Sequence, residues 1–232
     1  MNAYSKKYNY MILWSAKSGC TYLRQLFLEL HKEEIQNNPK NKWHNLNSDF
    51  KIPQEISNTS EIKKIILCRN PYNRVASIFC NKYCGGHGHS ILPPKIQLKK
   101  CTFREFVKEL MVIKMNGKLN NTDIHICEQT FCYNKNTYLL KLEEFDKSII
   151  DIYTKMDLHI LIPEIKSFLN KKNFKNKTSK NLETEYVYDK EYTSESTVFP
   201  DYKYFYDDEL LNLVYEIYKN DFINFNYKKD SY

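Results

Sequence analysis

Residues Leu13–Leu26, LWSAKSGCTYLRQL, contain a short turn between two stretches with different hydrophobic patterns. The turn, Ser15–Cys20, follows the run Tyr8–Trp14, whose aromatic and aliphatic residues are typical of a buried strand. Beyond the turn, apolar residues recur at helical spacing over Thr21–Glu34. The sequence therefore predicts a strand, a loop and a helix, and the backbone N–H groups at the start of that helix favour an anion.

The side chains of the turn add to this expectation of an anion site. Lys17 carries a positive charge, and Gly19 permits a close approach of the backbone. Ser18 and Thr21 contribute hydroxyl donors. The order Lys-Ser-Gly-Cys-Thr differs from the nucleotide-triphosphate loop G-x-x-x-x-G-K-[ST], because the first glycine is missing. Taken alone, the loop fits an anion site and an ordinary polar turn equally well.

The stretch Ile65–Phe79, IILCRNPYNRVASIF, repeats the order of strand, turn and helix. Arg69 lies at the predicted strand end, where its fork of donors suits a phosphate, and Ser77 adds a hydroxyl about two helical turns later. Two anion sites at neighbouring strand ends would suit a ligand with two separated phosphate groups. The alternative is that Arg69 caps local carbonyl groups and that Arg74 is simply solvated.

The rest of the chain continues the alternation of strands and helices. A third strand is predicted at Thr137–Leu142, and helices at about Phe103–Met115, within Ile149–Leu169 and from Asp207 or Asp208. Thr102 and Glu105 match a capping box for the first of these helices. The alternation predicts an α/β fold, a single domain over residues 1–232 with a central parallel sheet flanked by helices. The polar segment 170–200 is expected to form a flexible loop or lid.

Four stretches of the chain resemble the PAPS-dependent sulfotransferases, whose donor is 3′-phosphoadenosine-5′-phosphosulfate. SAKSGCTYLRQL resembles their 5′-phosphosulfate loop, and CRNPYNRVASIF resembles their 3′-phosphate motif R-[DN]-P-x-x-R-x-x-S. DIHICEQ, Asp123–Gln129, is similar to the D-x-H-x-x-x-Q segment of the carbohydrate sulfotransferase branch, and Val214–Tyr227 is similar to its terminal helix. The resemblance implies the P-loop-like sulfotransferase fold. It leaves the acceptor class open, because Ile126, Cys127 and Glu128 replace the usual aromatic residue and proline.

The resemblance also implies roles for individual residues. The phosphosulfate would be held by Ser15, Ala16, Lys17, Ser18, Gly19, Cys20 and Thr21. Arg69 and Ser77 would hold the 3′-phosphate, and Lys177 and Thr178 would belong to a lid over the nucleotide. Lys17 would stabilise the leaving phosphate of the product, PAP, in a scheme that requires no metal.

The acceptor hydroxyl must also lose a proton, and a histidine near neutral pKa suits that role. In the family the base commonly lies between the two cofactor motifs, and His44 is the histidine in that connection. His44 is therefore the favoured base, and a surface histidine is the alternative. His125 is the second candidate, with a structural hydrogen-bonding role as its alternative. Glu55 is a looser candidate, since some relatives use a glutamate.

Composition limits the remaining possibilities. The chain has 232 residues and a formal net charge of +7, which suits a polyanionic partner or simply a basic surface. Seven cysteines in no repeating framework are expected to be free thiols. Since no segment resembles a signal peptide or a membrane helix, we expect a cytoplasmic or otherwise soluble intracellular protein. The expected partners are the nucleotide sulfate donor and a hydroxyl-bearing glycan or small molecule, without nucleic acid or membrane.

Three other functions remain open at this point. A P-loop-type small-molecule kinase would need magnesium ligands, and it would not need Arg69 and Ser77 for a 3′-phosphate. A basic nucleic-acid-binding module would bind with steep salt dependence. A zinc-binding module could use Cys80, Cys84, His87 and His89, although their C-x3-C-x2-H-x-H spacing is unusual.

Overall fold

The computed structural model describes residues 2–32, 62–84, 101–129, 137–171, 185–193, 196 and 198–231. The chain divides into two compact units. The first, which we call the sheet unit, comprises Met1–Arg69 and Cys132–Phe174. The second, the helical unit, comprises Asn70–Phe131 and Lys175–Tyr232.

The sheet unit contains a four-stranded sheet. Its strands are β1 (Asn2–Ser5), β2 (Tyr10–Trp14), β3 (Lys63–Cys68) and β4 (Thr137–Lys141), and they lie side by side in this order. β2, β3 and β4 run parallel to one another, whereas β1 is antiparallel to β2. The predicted α/β fold with parallel strands is thus confirmed. The sheet as a whole is mixed, because the edge strand β1 is antiparallel to its neighbour. This strand was not predicted from its short sequence NAYS.

The described residues include helices of varied length. In chain order they are α1 (Cys20–Leu30), α2 (Pro71–Ile78), α3 (Phe103–Met115), α4 (Leu119–Thr122), α5 (Phe145–Lys155), α6 (Ile162–Asn170), α7 (Asp208–Ile217) and α8 (Lys219–Asn224). The stretch predicted as Ile149–Leu169 is two helices, α5 and α6, and Pro163 lies in the first turn of α6. Proline is tolerated there because the first N–H groups of a helix have no partner within the helix.

One face of the sheet carries the core of the sheet unit. Trp14, Leu67 and Leu140 are almost fully buried, and they belong to the same apolar cluster as residues of α1, α5 and α6. Successive side chains of a strand point to opposite faces of the sheet, so every second residue of each strand lies on this face. α1 contributes Leu23, Leu26 and Phe27 at the spacing that predicted the helix. Each such side chain stabilises the fold by about 1.5–3 kcal/mol when fully buried.

The helical unit has its own core, which is rich in aromatic residues and draws on α2, α3, α7 and α8. The predicted capping box of α3 is present, with Thr102 and Glu105 bonding each other's backbone N–H groups. Asp207 caps α7 by accepting from the N–H of Leu210 at 2.8 Å. The helix predicted after Arg69 begins at Pro71, and it continues after α2 as one π-helical turn, Phe79–Tyr83.

Part of the segment predicted as a loop or lid, residues 170–200, belongs to the packed structure. Glu191–Tyr192 pairs antiparallel with Cys101–Thr102, and Val187 and Tyr192 are buried. The prediction of a loop was therefore wrong for Glu191 and Tyr192, whereas residues 185–190 form turns and bends. Residues 172–184, which include Lys177 and Thr178, lie outside the described residues.

Candidate functional site

The loop after β2 has an unusual backbone conformation. Ser15 follows the last strand residue directly, and Gly19 is the N-cap of α1 with a φ of 87°. Lys17 also has a positive φ, 67°, which is uncommon for a residue with a side chain and costs roughly 1–2 kcal/mol. Alternation of left-handed and right-handed residues is the arrangement in which successive N–H groups line a concave anion site. The backbone geometry is therefore that expected of an anion-binding loop.

Gly19 meets two separate requirements at the start of α1. Its positive φ disfavours any side chain. A Cβ atom at this position would also lie 2.5 Å from Cδ1 of Leu142, the residue that follows β4. The sequence predicted a close backbone approach at Gly19, and the structure shows that the group approached within the sheet unit is Leu142. The side chain of Leu142 thus occupies the space that a Cβ atom at position 19 would need.

The hydroxyl groups of the loop hold it together. Ser15 and Ser18 are buried, and their Oγ atoms lie 2.6 Å apart. The N–H of Ser18 also donates to the carbonyl of Ser15 at 3.4 Å. Ala16 is buried between them, whereas Lys17 and Cys20 are partly exposed and Thr21 is exposed. The side chains of Lys17 and Thr21 therefore remain accessible while the serines fix the shape of the loop.

Arg69, directly after β3, joins the two motifs. Its Nη1 donates to the carbonyl oxygen of Lys17 at 3.1 Å. β2 and β3 are neighbouring parallel strands with Trp14 opposite Leu67, so their carboxyl ends meet at one edge of the sheet. The bond occupies one of the five donors of the guanidinium. Arg69 does bond a local carbonyl, as the alternative interpretation supposed, and its role at a 3′-phosphate remains a prediction.

The turn that follows Arg69 belongs to the helical unit and begins α2. Asn70 is the N-cap, and its Oδ1 accepts from the N–H of Tyr72 at 2.9 Å. Pro71 occupies the first helical position, as its fixed φ favours. Ser77 is the penultimate residue of α2 and is 6% exposed. Ser77 is thus placed on a capped helix of the helical unit, whereas Arg69 is placed in the sheet unit.

Arg74, the second arginine of the R-N-P-Y-N-R motif, is only 1% exposed. Its Nη2 donates to the carbonyl oxygen of His125 at 2.8 Å, and its guanidinium lies 5.8 Å from the ring centre of Tyr218. The interpretation of Arg74 as a solvated residue was therefore wrong. Its partner could not be predicted from local sequence, because His125 lies 51 positions away.

His125 is oriented by Asp123. Oδ1 of Asp123 accepts from the backbone N–H of His125 and lies 2.7 Å from Nδ1 of its ring. Their side chains are 16% and 13% exposed, respectively. A carboxylate only accepts, so in the neutral ring Nδ1 carries the proton and Nε2 is the basic nitrogen. The pair has the arrangement of a general base held in one tautomer.

The segment around His125 is anchored to the end of the chain. Buried Asp221 accepts from the N–H of Gln129 at 3.0 Å, and the hydroxyl of Tyr218 donates to the carbonyl of Ile126 at 2.9 Å. Glu128 accepts from the side-chain amides of Asn120 and Asn220, each at 3.0 Å. The two asparagines therefore satisfy the carboxylate of Glu128.

The cysteines proposed as zinc ligands are buried thiols. Burial raises the pKa of Cys84, and it raises that of neighbouring Cys101 to about 12. Zinc binds the thiolate, so a zinc ion would have to displace the protons of these thiols. Within the described ranges no group of three or more histidine, cysteine, aspartate or glutamate side chains is arranged to hold a metal ion. His87 and His89 lie outside those ranges.

Some predicted site residues are not described by the structure. His44, Glu55, Lys177 and Thr178 all lie outside the described residues. Asp123 is the first residue of the D-x-H segment but was given no role of its own, although its i, i+2 spacing to His125 was a usable signal. None of the described helices is both long and apolar enough to cross a membrane.

Comparison with known proteins agrees with these observations. The family model described as "Sulfotransferase family" matches residues 3–228, which include the loop after β2, Arg69, α2 and the segment of His125. Searches of curated proteins and of solved structures found no significant match. Because the family match covers nearly the whole chain, the chain belongs to the sulfotransferase family.

Proposed function

We propose that this sulfotransferase takes its sulfuryl group from PAPS and transfers it to a hydroxyl group of a carbohydrate. The observation that carries the donor assignment is the hydrogen bond from Arg69 to the carbonyl of Lys17. It joins the sequences that resemble the 5′-phosphosulfate loop and the 3′-phosphate motif at one edge of the parallel sheet. Open α/β sheets bind their ligands at that edge.

The transfer breaks the bond between sulfur and the 5′-phosphate oxygen and forms a bond between sulfur and the acceptor oxygen. The phosphate oxygen of PAP gains negative charge as its bond breaks, so donors aimed at that oxygen lower the barrier. Lys17 and the N–H groups of Ser15–Thr21 are the proposed donors. Lys17 and Gly19 have positive φ values, and the contact between the hydroxyl groups of Ser15 and Ser18 holds this backbone conformation before the substrate arrives.

The 3′-phosphate of PAPS is assigned to Arg69 and Ser77. The two residues flank the turn at Asn70 in the sequence, and Asn70 and Pro71 set the start of α2. Lys177 and Thr178 are proposed to close over the nucleotide. This division of roles predicts that AMP and ADP, which lack a 3′-phosphate, bind much more weakly than PAP.

The acceptor proton is assigned to a histidine. His44 remains the base favoured by sequence position, and His125 is the candidate whose geometry is described. In the second case Nε2 of His125 takes the proton, while Asp123 stabilises the imidazolium that forms. Turnover by His44→Ala and His125→Ala separates the two assignments, because only loss of the base should abolish transfer while PAP binding persists.

The carbohydrate acceptor is supported by the two segments that resemble the carbohydrate branch. Gln129 of the first segment bonds Asp221 of the second, and the carbonyl of Ile126 bonds Tyr218. Both segments thus occur in this chain as a packed pair. The replacement of the usual residues at Ile126 and Glu128 indicates a specificity of its own.

The donor is tested by calorimetric titration of the whole protein with PAP, AMP and ADP in the absence of divalent metal. We expect PAP to bind at least about 30-fold more tightly than AMP, since charged hydrogen bonds to one phosphate contribute ~2 kcal/mol or more. Equal binding of the three nucleotides, or binding only with magnesium, would contradict the proposal. Transfer of labelled sulfate from PAPS to a panel of oligosaccharides and phenols then tests the acceptor class.

A further inference from the structure

The segment Lys228–Ser231 lies against the turn that begins α2. The side-chain amide of Asn70 donates from Nδ2 to the backbone carbonyl of Ser231, and to Oγ of Ser231 at 3.1 Å. The hydroxyl of Tyr72 donates to the carbonyl of Lys229 at 2.7 Å. The family match ends at residue 228, so these contacts come from residues beyond it.

Asn70 is held at both ends of its amide. Oδ1 caps α2 by accepting from the N–H of Tyr72, and Nδ2 is held by Ser231. The two amide ends move together about one torsion, so fixing Nδ2 also fixes the direction of Oδ1. An asparagine at the N-cap typically stabilises the start of a helix. The segment thereby restricts rotation of the Asn70 amide and keeps Oδ1 in the capping position.

The same segment holds the next part of α2 through Tyr72. The ring of Tyr72 is fully buried, with ring centres 5.4 Å from Tyr206 and 4.9 Å from Phe222. A buried phenol hydroxyl requires a hydrogen-bond partner, and the carbonyl of Lys229 is the nearer of its two acceptors. The segment therefore contacts the start of α2 at two residues, Asn70 and Tyr72.

The segment is itself a defined turn. The N–H of Ser231 donates to the carbonyl of Lys228 at 3.1 Å, and Oγ of Ser231 donates to the same carbonyl at 2.6 Å. The ammonium of Lys229 lies 5.1 Å from the ring centre of Tyr215 on α7. Internal bonds of this kind allow the segment to act as a fixed support.

We propose that Lys228–Ser231 is a positioning element for recognition of the 3′-phosphate. The inference rests on the proposed function, in which Arg69 and Ser77 bind that phosphate. Arg69 immediately precedes Asn70, and Ser77 lies on the helix that Asn70 caps. Loss of the segment loosens the cap and the turn, so it weakens binding of the 3′-phosphate more than binding of the rest of the nucleotide.

The test compares the affinities of PAP and AMP in the wild-type chain, in a chain ending at Lys228 and in Ser231→Ala. Thr154→Ala is the matched control, because Thr154 donates an exposed hydroxyl bond to the carbonyl of Ile150 in the sheet unit. We expect the shortened chain to bind PAP about tenfold more weakly, as loss of one or two hydrogen bonds predicts, with AMP affinity nearly unchanged. Ser231→Ala should lose about two- to threefold.

The outcomes separate this proposal from the proposed function. If the wild-type chain prefers PAP over AMP and both variants keep the full preference, the positioning role is overturned and the donor assignment stands. If the wild-type chain shows no preference, the donor assignment fails and the positioning role fails with it. Thermal unfolding of each variant shows that the nucleotides are compared on folded protein, and Ser231→Ala decides the question if the shortened chain unfolds.

Discussion

Arg74 of α2 donates from Nη2 to the backbone carbonyl of His125 at 2.8 Å, and it is almost completely buried. An arginine of the second motif therefore holds the backbone of the histidine in the third. The same guanidinium lies over Tyr218, whose hydroxyl holds the carbonyl of Ile126. Two adjacent carbonyl groups of the His125 segment are thus fixed from α2 and from the turn between α7 and α8.

Replacement of Arg74 by methionine should destabilise the protein. Methionine fills much of the volume but leaves the carbonyl of His125 without this donor, and a buried bond from a charged group contributes about 1.5–3 kcal/mol. We expect the free energy of unfolding in urea to fall by about 2–4 kcal/mol. Arg74→Lys should recover part of this loss. Unchanged stability in Arg74→Met would show that the contact is unimportant.

Lys17 allows charge and backbone strain to be tested separately. Lys17→Ala removes the ammonium and should lower turnover by about 10²-fold or more, the size of effect expected for a donor at a developing charge. Lys17→Gly removes the same charge but relieves the positive φ, so it should be about 1 kcal/mol more stable than Lys17→Ala. Sulfate transfer and urea unfolding of both variants provide the measurements. Near-native turnover in either variant would remove Lys17 from the mechanism.

Gly19→Ala should be strongly unfavourable. The new Cβ would meet Leu142 at 2.5 Å, and the positive φ adds strain that does not depend on the contact. We expect a loss of about 2–4 kcal/mol in the free energy of unfolding. Shortening Leu142 to alanine in the same chain should reverse only the part caused by the contact. A double-mutant cycle measures that part, and a coupling energy near zero would contradict the contact.

Asp207 makes the stability of the helical unit depend on pH. Burial alone would raise the pKa of Asp207, but the N–H of Leu210 and the guanidinium of Arg104 outweigh burial, so the pKa is lowered. A carboxyl whose folded pKa is depressed adds stability above its unfolded pKa, about pH 4, and this stability is lost as the pH falls through the folded value.

Asp207→Asn is the appropriate comparison, because asparagine also caps helices but carries no charge. The wild-type chain should be more stable than this variant at pH 6, and the difference should shrink as the pH falls from about 4 towards 2. Thermal unfolding across this range measures the difference. A difference that stays constant with pH would mean that the charge of Asp207 is not involved.

Local signals explain what could be predicted from the sequence. The cap at Thr102 was predicted because the capping residue and its partner Glu105 lie within a few positions of each other, and a similar local signal placed the start of α7 at Asp207 or Asp208. The strands β2 and β3 were found because buried parallel strands read as continuous apolar runs. These features require no knowledge of distant parts of the chain, and they also located the loop after β2.

Contacts between distant residues explain what was missed. Arginine is usually found at the surface, and only the fold brings the carbonyl of His125 next to Arg74. The short strand β1 has too few apolar residues to be distinguished from a turn, and its pairing with β2 determines its structure. The contact of Gly19 with Leu142 likewise depends on β4 lying beside β3. The motifs could therefore be identified from the sequence, but the distant residues that contact them could not.

The assignment of the base leads to a last prediction, which concerns Asp123. If His125 is the base, Asp123→Asn should lower turnover by about 10²-fold, because an amide can present a donor to Nδ1 and shift the proton to Nε2. Asp123→Glu, which keeps the charge, should recover part of the rate, and PAP affinity should change by less than about threefold in both. If instead His44→Ala abolishes transfer while Asp123→Asn and His125→Ala transfer normally, the base is His44. The Asp123–His125 pair would then serve only to shape the segment that Arg74 holds.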